Sequence, residues 1–140
     1  MPNQLTRDFT DAEFACKHCG RLGVQLRLVE ALQALRDKLG VPLTITSGYR
    51  CAQHPVEAKK AKPGWHTQGL AADVAGPAPL TIWQALVDFP EFAGVGVAIH
   101  QGYVHLDIRP GVPSGGRVVW AYDRTGRDVK WSGKWAELPK

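Results

Sequence analysis

The chain has 140 residues, of which 44% are hydrophobic and 21% are charged, and its formal net charge is +4. This size and composition predict one globular domain over residues 1–140 and exclude a wholly disordered chain. The positive charge favours an acidic partner. We do not expect that partner to be nucleic acid, because no Lys/Arg run exceeds two residues and no nucleic-acid-binding motif is present.

The first residues, from Met1 to Arg7, lack the basic segment, the apolar stretch and the cleavage site of a secretion signal. No apolar run approaches the ~20 residues that span a bilayer. We therefore expect a protein that is synthesised as a soluble cytoplasmic chain and does not insert into a membrane. We also expect it to be a monomer.

The first predicted elements are helices. Thr10 and Glu13 match a capping box, in which a hydroxyl and a carboxylate satisfy free backbone amides, and a short helix is expected to begin there. A longer helix is predicted over residues 25–39 and ends at Gly40. Its apolar positions recur at helical spacing: Leu28, Leu32, Leu35 and Leu39.

The middle of the chain alternates between extended and helical patterns. Residues 42–46 predict a strand that leads into residues 47–50. Residues 55–64 contain three lysines and two prolines and predict a loop or short helix. Residues 70–75 are apolar and predicted to be extended, and residues 81–89 predict a helix that stops before a proline.

Two β-hairpins are predicted in the last third of the chain. Residues 94–99 and 103–108 form strands around a short Gln101-Gly102 turn. Residues 117–122 and 127–131 form the second pair. Because helices precede strands that are mostly antiparallel, the predicted fold class is α+β.

Three side chains form the main candidate metal site: His66, Asp73 and His105. Zinc accepts imidazole and carboxylate ligands, and three protein ligands leave a fourth position open, as in catalytic zinc sites. A structural zinc site would fill all four positions with protein groups, usually including cysteine. Asp73 follows His66 by seven positions with Gly69 between them, so the two do not share a helical face. A loop entering a strand, opposite a second strand, would bring all three together.

The segments around these residues resemble a known family. They are Ser47-Gly48-Tyr49-Arg50, then His-x-x-Gly-x-Ala-x-Asp from His66, then His-x-Asp from His105. This order of motifs resembles the zinc D-alanyl-D-alanine carboxypeptidases and L-alanyl-D-glutamate endopeptidases, and the resemblance runs from about residue 9 to residue 109, including Glu13-Phe14-Ala15-Cys16. It implies a hedgehog-like fold, with helices on one side of a small sheet, and activity on peptidoglycan.

The resemblance also implies roles for individual residues. His66, Asp73 and His105 would hold one catalytic zinc ion. Arg50, with Ser47 and Tyr49, would bind a carboxylate of the stem peptide, since a guanidinium fork suits a carboxylate bidentately. The bond that is cut, a terminal D-alanine or an internal bond such as L-Ala–D-Glu, stays open.

The general base is not transferred as directly. Many relatives carry an acidic residue three positions before the last zinc ligand, where this chain has Gly102. His100 matches a catalytic histidine of the carboxypeptidase branch, and we predict it as the base ahead of Asp107. Asp107 lies two residues after His105, on the same face of a strand, and would act either as base or by orienting a zinc ligand.

Four other residues suggest a second metal. Cys16 and Cys19 form a Cys-x-x-Cys pair, and Cys51 and His54 would add a thiol and an imidazole to a structural zinc site. We favour free buried thiols instead, because the spacing is half of a zinc signature. Disulfides are not expected in a reduced cytoplasm.

The C-terminal 30 residues lie outside the motifs, and no role is predicted for them. Trp120, Trp131 and Trp135 would close a small core rather than form a carbohydrate-binding platform.

The predicted function is a zinc metallopeptidase of peptidoglycan stem peptides, acting in cell-wall lysis or remodelling. A phage endolysin released through a partner pore, or a virion component, would bring such a chain to the wall. The alternative is a non-catalytic zinc-binding phage structural or assembly protein of the same fold, which Gly102 keeps open.

Overall fold

The centre of the computed structural model, which describes residues 3–113 and 116–138, is a six-stranded sheet with the order β1-β2-β4-β3-β5-β6. The strands are β1 (Thr44–Ser47), β2 (Ala71–Ala75), β3 (Gly94–Ala98), β4 (Tyr103–Asp107), β5 (Val118–Tyr122) and β6 (Asp128–Lys130). All neighbouring strands are antiparallel except β3 and β5, which are parallel. The predicted α+β class with a mostly antiparallel sheet is confirmed.

Three α-helices accompany the sheet: α1 (Leu26–Leu39), α2 (Pro55–Ala58) and α3 (Pro79–Ala85). Single 3₁₀ turns occur at Asp11–Phe14, Trp65–Gln68, Leu86–Asp88 and Trp135–Glu137. Gly40 ends α1 with a φ of 70°, a left-handed conformation that glycine adopts without strain. No helix in the described part of the chain has the length and apolar character needed to cross a membrane.

One face of the sheet carries the hydrophobic core. Alternate residues of the strands point to it, because successive side chains of a strand lie on opposite faces. The strand side chains buried in this core are Ile45, Ala72, Val74, Val95, Val97, Val104, Leu106 and Ala121. They belong to the same cluster as Leu28, Val29, Leu32 and Leu35 of α1 and Ile82 of α3. Burial of each larger side chain stabilises the fold by ~1.5–3 kcal/mol, which holds α1 and α3 on this face.

The opposite face carries polar and aromatic side chains. The register of the strands aligns Ser47, Asp73, His105, Gly96 and Trp120 in one row across the sheet. Cross-strand neighbours share a face, so the candidate ligands Asp73 and His105 lie side by side on the side away from the core.

The glycines of β3 make room on this face. A Cβ atom on Gly96 would lie 2.5 Å from the Trp120 ring, and one on Gly94 would lie 2.3 Å from the Asp107 carboxylate. These side chains therefore lie directly over the β3 backbone.

Two predicted elements differ from the observed ones by more than one residue at an end. The strand predicted over residues 42–46 begins at Thr44 and extends to Ser47, where it pairs with Asp73. The helix predicted over residues 81–89 begins earlier, with Pro79 at its first position, and its last turn is 3₁₀. Proline suits a first helical position because it has no N–H to leave unsatisfied.

Candidate active site

The structure brings the three predicted metal ligands together. One nitrogen or oxygen atom from each of His66, Asp73 and His105 lies within 4.8 Å of the others. His66 Nε2 is 3.2 Å from His105 Nδ1, and Asp73 Oδ1 is 3.4 Å and 3.3 Å from those two nitrogens. All three residues are buried. They belong to a 3₁₀ turn, β2 and β4, as expected for a loop and two facing strands.

The outer nitrogen of each imidazole is held by an acceptor. His66 Nδ1 is 2.8 Å from the carbonyl oxygen of Gly48, which only accepts, so Nδ1 carries the proton and donates. His105 Nε2 donates in the same way to Asp107 Oδ2 at 2.7 Å. Each ring therefore turns a lone pair towards the centre of the group.

The third atom of the group is an isolated acceptor. Asp73 Oδ1 is buried and has no hydrogen-bond partner among the residues that the structure describes. With both rings in these neutral tautomers, two nitrogen lone pairs and one carboxylate oxygen face a common point. The lone pairs of these three atoms repel one another unless a cation binds between them. The residues therefore fit a metal ion, and imidazole and carboxylate donors suit zinc.

The surroundings set the charge of these groups. Burial lowers the pKa of His66 and keeps it neutral, as a metal ligand must be. Burial also lowers the pKa of His105, but Asp107 and Asp73 outweigh it and raise that pKa overall. The pKa of the Asp73 carboxyl lies well below its usual range, because His66 and His105 outweigh the effect of its burial.

Two glycines of the motifs are required by the backbone. Gly69 ends the 3₁₀ turn of His66 with a φ of 72°, and a Cβ atom there would lie 2.0 Å from the carbonyl oxygen of Gly23. A Cβ atom on Gly48 would lie 2.6 Å from Phe14 Cα. Both positions allow the close approach that directs His66 towards its partners.

Arg50 lies against the metal site rather than standing free as a substrate fork. Its Nη2 donates to Asp73 Oδ2 at 3.0 Å, its Nη1 to Glu57 Oε2 at 3.0 Å and its Nε to Ser47 Oγ at 2.9 Å. It therefore holds the Asp73 oxygen that faces away from the two histidines. Ser47 and Tyr49, predicted to bind substrate with it, are not among the described residues that line the cleft described below, and the Tyr49 ring packs over Gly23.

Asp107 is fully buried and both of its oxygens are engaged. Arg109 donates to Oδ1 through Nε at 2.8 Å and to Oδ2 through Nη2 at 2.7 Å, in addition to the bond from His105. The Arg109 guanidinium lies 5.6 Å from the Trp65 ring centre and 5.4 Å from that of Trp120. The pKa of Asp107 is held well below its usual range by Arg109 and His105 despite burial. Of its two predicted roles, this geometry fits orientation of His105.

His100 is not brought to the metal site. It is exposed at the tip of the β3–β4 hairpin and is not among the described residues that line the cleft. Gly102 closes the same turn with a φ of 81°, and its N–H donates to the carbonyl oxygen of Ala98 at 2.8 Å. The position where relatives carry an acid is thus a turn residue in this chain, and an acidic side chain there would strain the backbone.

A cleft of about 430 Å³ opens beside the metal ligands. Besides His66, Asp73 and His105, its aromatic lining residues are Trp65, Tyr103, Trp120 and Tyr122, and its charged ones are Arg50, Lys60, Arg109 and Asp128. Trp120, Tyr122 and Asp128 come from β5 and β6, in the C-terminal segment for which no role was predicted. The signal that was missed is the alternation of Trp120 and Tyr122, which places both on the face of His105.

The core-closing role predicted for the tryptophans holds for part of the set. Trp131 is buried and lies 4.9 Å from the Trp83 ring, and Trp135 packs at the edge of the core. Trp120 is different, because its ring lies 5.1 Å from the His105 ring in the cleft. That part of the prediction was wrong: the strand register, invisible from composition, sends Trp120 to the polar face.

The predicted cysteine cluster also comes together in part. Cys16, Cys19 and Cys51 place their Sγ atoms within 4.8 Å of one another, and none forms a disulfide. Cys16 and Cys51 are buried, whereas Cys19 is exposed and so is not the buried thiol that was favoured. His54, the fourth predicted member, is half-buried and accepts a hydrogen bond from the Val56 N–H through Nδ1.

Comparison with known protein families accounts for the ordered motifs. The family described as Peptidase M15 matches residues 2–107. The chain belongs to the M15 peptidase family. No curated protein matches it. The match covers Arg50 and all three candidate metal ligands of this M15 peptidase but ends before β5 and β6, which supply part of the cleft. Membership makes the chain a hydrolase of the metallopeptidase class.

Proposed function

We propose that this M15 peptidase is a zinc enzyme that hydrolyses peptide bonds in peptidoglycan stem peptides. The observation that carries the proposal is the set of three acceptor atoms, from His66, Asp73 and His105, that face one point in the cleft. A zinc ion held by these residues supplies Lewis acidity, which polarises a peptide carbonyl and activates water.

The residues around the ligands keep this set in place. The Gly48 carbonyl and the Asp107 carboxylate fix the two imidazoles, and Arg50 fixes the second oxygen of Asp73. Removal of a group that holds a metal ligand in this way commonly weakens metal binding 10–100-fold, which corresponds to about 1–3 kcal/mol.

The cleft suits a peptide that carries carboxylates. Lys60 and Arg109 line it, and Asp107 engages Nε and Nη2 of Arg109, which leaves the Nη1 hydrogens for a substrate. Peptidoglycan stem peptides carry carboxylates at D-alanine, D-glutamate and diaminopimelate. We propose that Arg109 and Lys60, with Arg50 behind them, bind one of these groups.

Tyr103 is proposed to donate a hydrogen bond to the oxygen of the scissile carbonyl. Burial, together with the charges of Asp73 and Asp128, raises the pKa of Tyr103 to about 12, so its hydroxyl keeps its proton at neutral pH. A donor held in position stabilises the negative charge that develops on that oxygen in the transition state.

Asp128 is proposed to handle the proton. Among the described residues that line the cleft, it is the carboxylate that does not belong to the metal group. It lies on β6, opposite Tyr122 of β5, and is exposed to solvent. These features suit a group that exchanges protons with water, as a general base must.

Digestion of purified peptidoglycan, with products identified by mass spectrometry, tests the function. Loss of one D-alanine from pentapeptide stems would identify a carboxypeptidase, and release of peptides that begin with D-glutamate would identify an L-Ala–D-Glu endopeptidase. His66→Ala, which removes one ligand, is the matched inactive control. Folded, zinc-containing wild type that releases no product would instead support the non-catalytic zinc-binding protein.

We extend the proposal to cell-wall lysis or remodelling, with action on the wall after release from the cell or from a virion. Addition of the purified chain to outer-membrane-permeabilised cells should lower their turbidity. His66→Ala should leave turbidity unchanged.

A further inference from the structure

Three cysteines form a second cluster that does not line the cleft. The Sγ atoms of Cys16, Cys19 and Cys51 lie within 4.8 Å of one another, although 35 residues separate Cys16 from Cys51. None of them is in a disulfide. We propose that these three side chains bind a second metal ion of the zinc class, with a structural role. Thiolates are soft ligands, and three of them with one imidazole form a common structural zinc site.

The loop that carries the Cys-x-x-Cys pair folds tightly around its first cysteine. Cys16 N–H donates to the carbonyl oxygen of Arg21 at 3.0 Å, and Gly20 N–H donates to the carbonyl oxygen of Cys16 at 2.7 Å. Gly20 has a φ of 77°, and a Cβ atom there would meet nothing within 4 Å. Glycine is therefore favoured here by the left-handed backbone conformation and not by lack of space. This closed loop directs both thiols to one side.

Cys51 completes the group from a separate segment. Its backbone N–H donates to Cys16 Sγ at 3.3 Å. The backbone N–H groups of Cys19 and His18 act on the same sulfur atom. N–H groups that point at a sulfur atom favour the thiolate, which is the form that binds metal.

Two histidines close to the cysteines in sequence are the candidates for the fourth position. His54 follows Cys51 by three residues, and the centre of its ring is 6.3 Å from that of His18. His54 uses Nδ1 as acceptor for the Val56 N–H at the start of α2, whereas His18 lies between the paired cysteines. One of these two rings would complete a site of three cysteines and one histidine.

A metal ion here would brace the segment behind the catalytic site. Residues 47–51 carry Gly48, whose carbonyl holds His66, and Arg50, which holds Asp73. Tyr49 N–H already donates to the Phe14 carbonyl oxygen at 2.8 Å, which ties the segment to the N-terminal loop. A metal ion bound by Cys16, Cys19 and Cys51 would cross-link the N-terminal loop to residues 47–51. Its loss should therefore make the metal ligands in the cleft less firmly held.

Elemental analysis of the purified full-length chain tests the proposal. Wild type should contain about two zinc ions per chain, and Cys19→Ala and His66→Ala should each contain about one. Cys19 is exposed, so its replacement should not disturb the core. Lys17→Ala, in the same loop, is the matched control and should keep both ions. Loss of one ion in His18→Ala or in His54→Ala would identify the imidazole.

Cobalt substitution gives a second readout that does not depend on activity. The Co²⁺ form should show a thiolate-to-metal charge-transfer band that His66→Ala keeps and Cys19→Ala loses. One zinc ion in wild type, unchanged in Cys19→Ala, would overturn the proposal. So would an intact mass two hydrogens short of the reduced chain, because it would reveal a disulfide. An inactive wild type with both ions would count against the proposed function only.

Discussion

At the scale of single residues, each candidate ligand has one nitrogen or oxygen atom that faces away from the metal position and forms a hydrogen bond. The hydrogen-bond partners of these outer atoms are Gly48, Asp107 and Arg50. Their effect is to fix the tautomer of each ring and the rotation of the carboxylate before any metal binds. A ligand set prepared in this way loses little conformational entropy on binding, so changes to the outer groups should be visible as changes in metal affinity.

Asp107→Asn should weaken zinc binding by about 10–100-fold, because a neutral amide holds the His105 N–H less firmly and leaves Arg109 without its charged partner. Competition with a chromophoric chelator measures the affinity. Asp128→Asn, on the same face but away from the ligands, serves as the control and should keep wild-type affinity. An unchanged affinity in Asp107→Asn would show that Asp107 does not orient the ligand.

The identity of the proton-transfer group is decided by a pair of variants. Asp128→Asn should lower kcat by about 10²–10⁴, with zinc content unchanged. His100→Ala should stay within about twofold of wild type, since the hairpin tip lies outside the cleft lining. The reverse result, with loss of rate only in His100→Ala, would return the role to the residue predicted from the family resemblance.

At the scale of secondary-structure elements, the short helix α2 connects the cleft to the segment behind it. Glu57 of α2 is buried and accepts hydrogen bonds from Arg50, Lys60 and the Gly64 N–H. Burial alone would raise the pKa of Glu57, but these donors outweigh burial and lower it to about 2. The Glu57 carboxylate thus holds the loop after α2 against the arginine that positions Asp73.

Glu57→Gln should lower the free energy of unfolding by roughly 1–3 kcal/mol near pH 7, because a charged acceptor of three donors is lost. A lowered pKa in the folded state gives its full stabilisation above the usual value, and this gain is lost progressively as pH falls from 4.5 through about 2. Urea unfolding at a series of pH values measures the difference between the two proteins. A difference that stays constant down to pH ~3 would contradict the role of the charge.

At the scale of the whole molecule, the sheet separates the hydrophobic core from the cleft. The face towards α1 and α3 holds the core, and the opposite face holds the cleft, so the candidate ligands Asp73 and His105 lie on strands that pack against the core. The candidate ligands belong to three elements, and a metal ion that joins them should therefore stabilise the global fold as well as the site.

Removal of metal with a chelator should lower Tm by roughly 5–10 °C, since a ligand at about 100 times its Kd contributes ~2.7 kcal/mol. Re-addition of zinc should restore the original value. Differential scanning calorimetry measures both. The doubly substituted chain His66→Ala, Cys19→Ala provides the control and should show no response to the chelator. A wild-type Tm that does not respond would mean that the ligand set holds no ion tightly.

The sequence by itself determined the order and kind of most elements, and it singled out His66, Asp73 and His105. Both inferences depend on local information. The leucines of α1 repeat at helical spacing, the strands end at turn residues, and imidazole and carboxylate are intrinsic zinc ligands. The family motifs added the order in which the three ligands occur along the chain.

Tertiary structure alone decided which atoms face one another. The parallel pairing of β3 with β5 placed Trp120 against His105 and carried Tyr122 and Asp128 into the cleft, from a segment with no recognisable motif. It also turned Arg50 towards Asp73 and enclosed Asp107 between His105 and Arg109. These outcomes depend on strand register and on contacts between residues far apart in the chain. A shift of one residue in register would move every such side chain to the other face, and no local pattern records that choice.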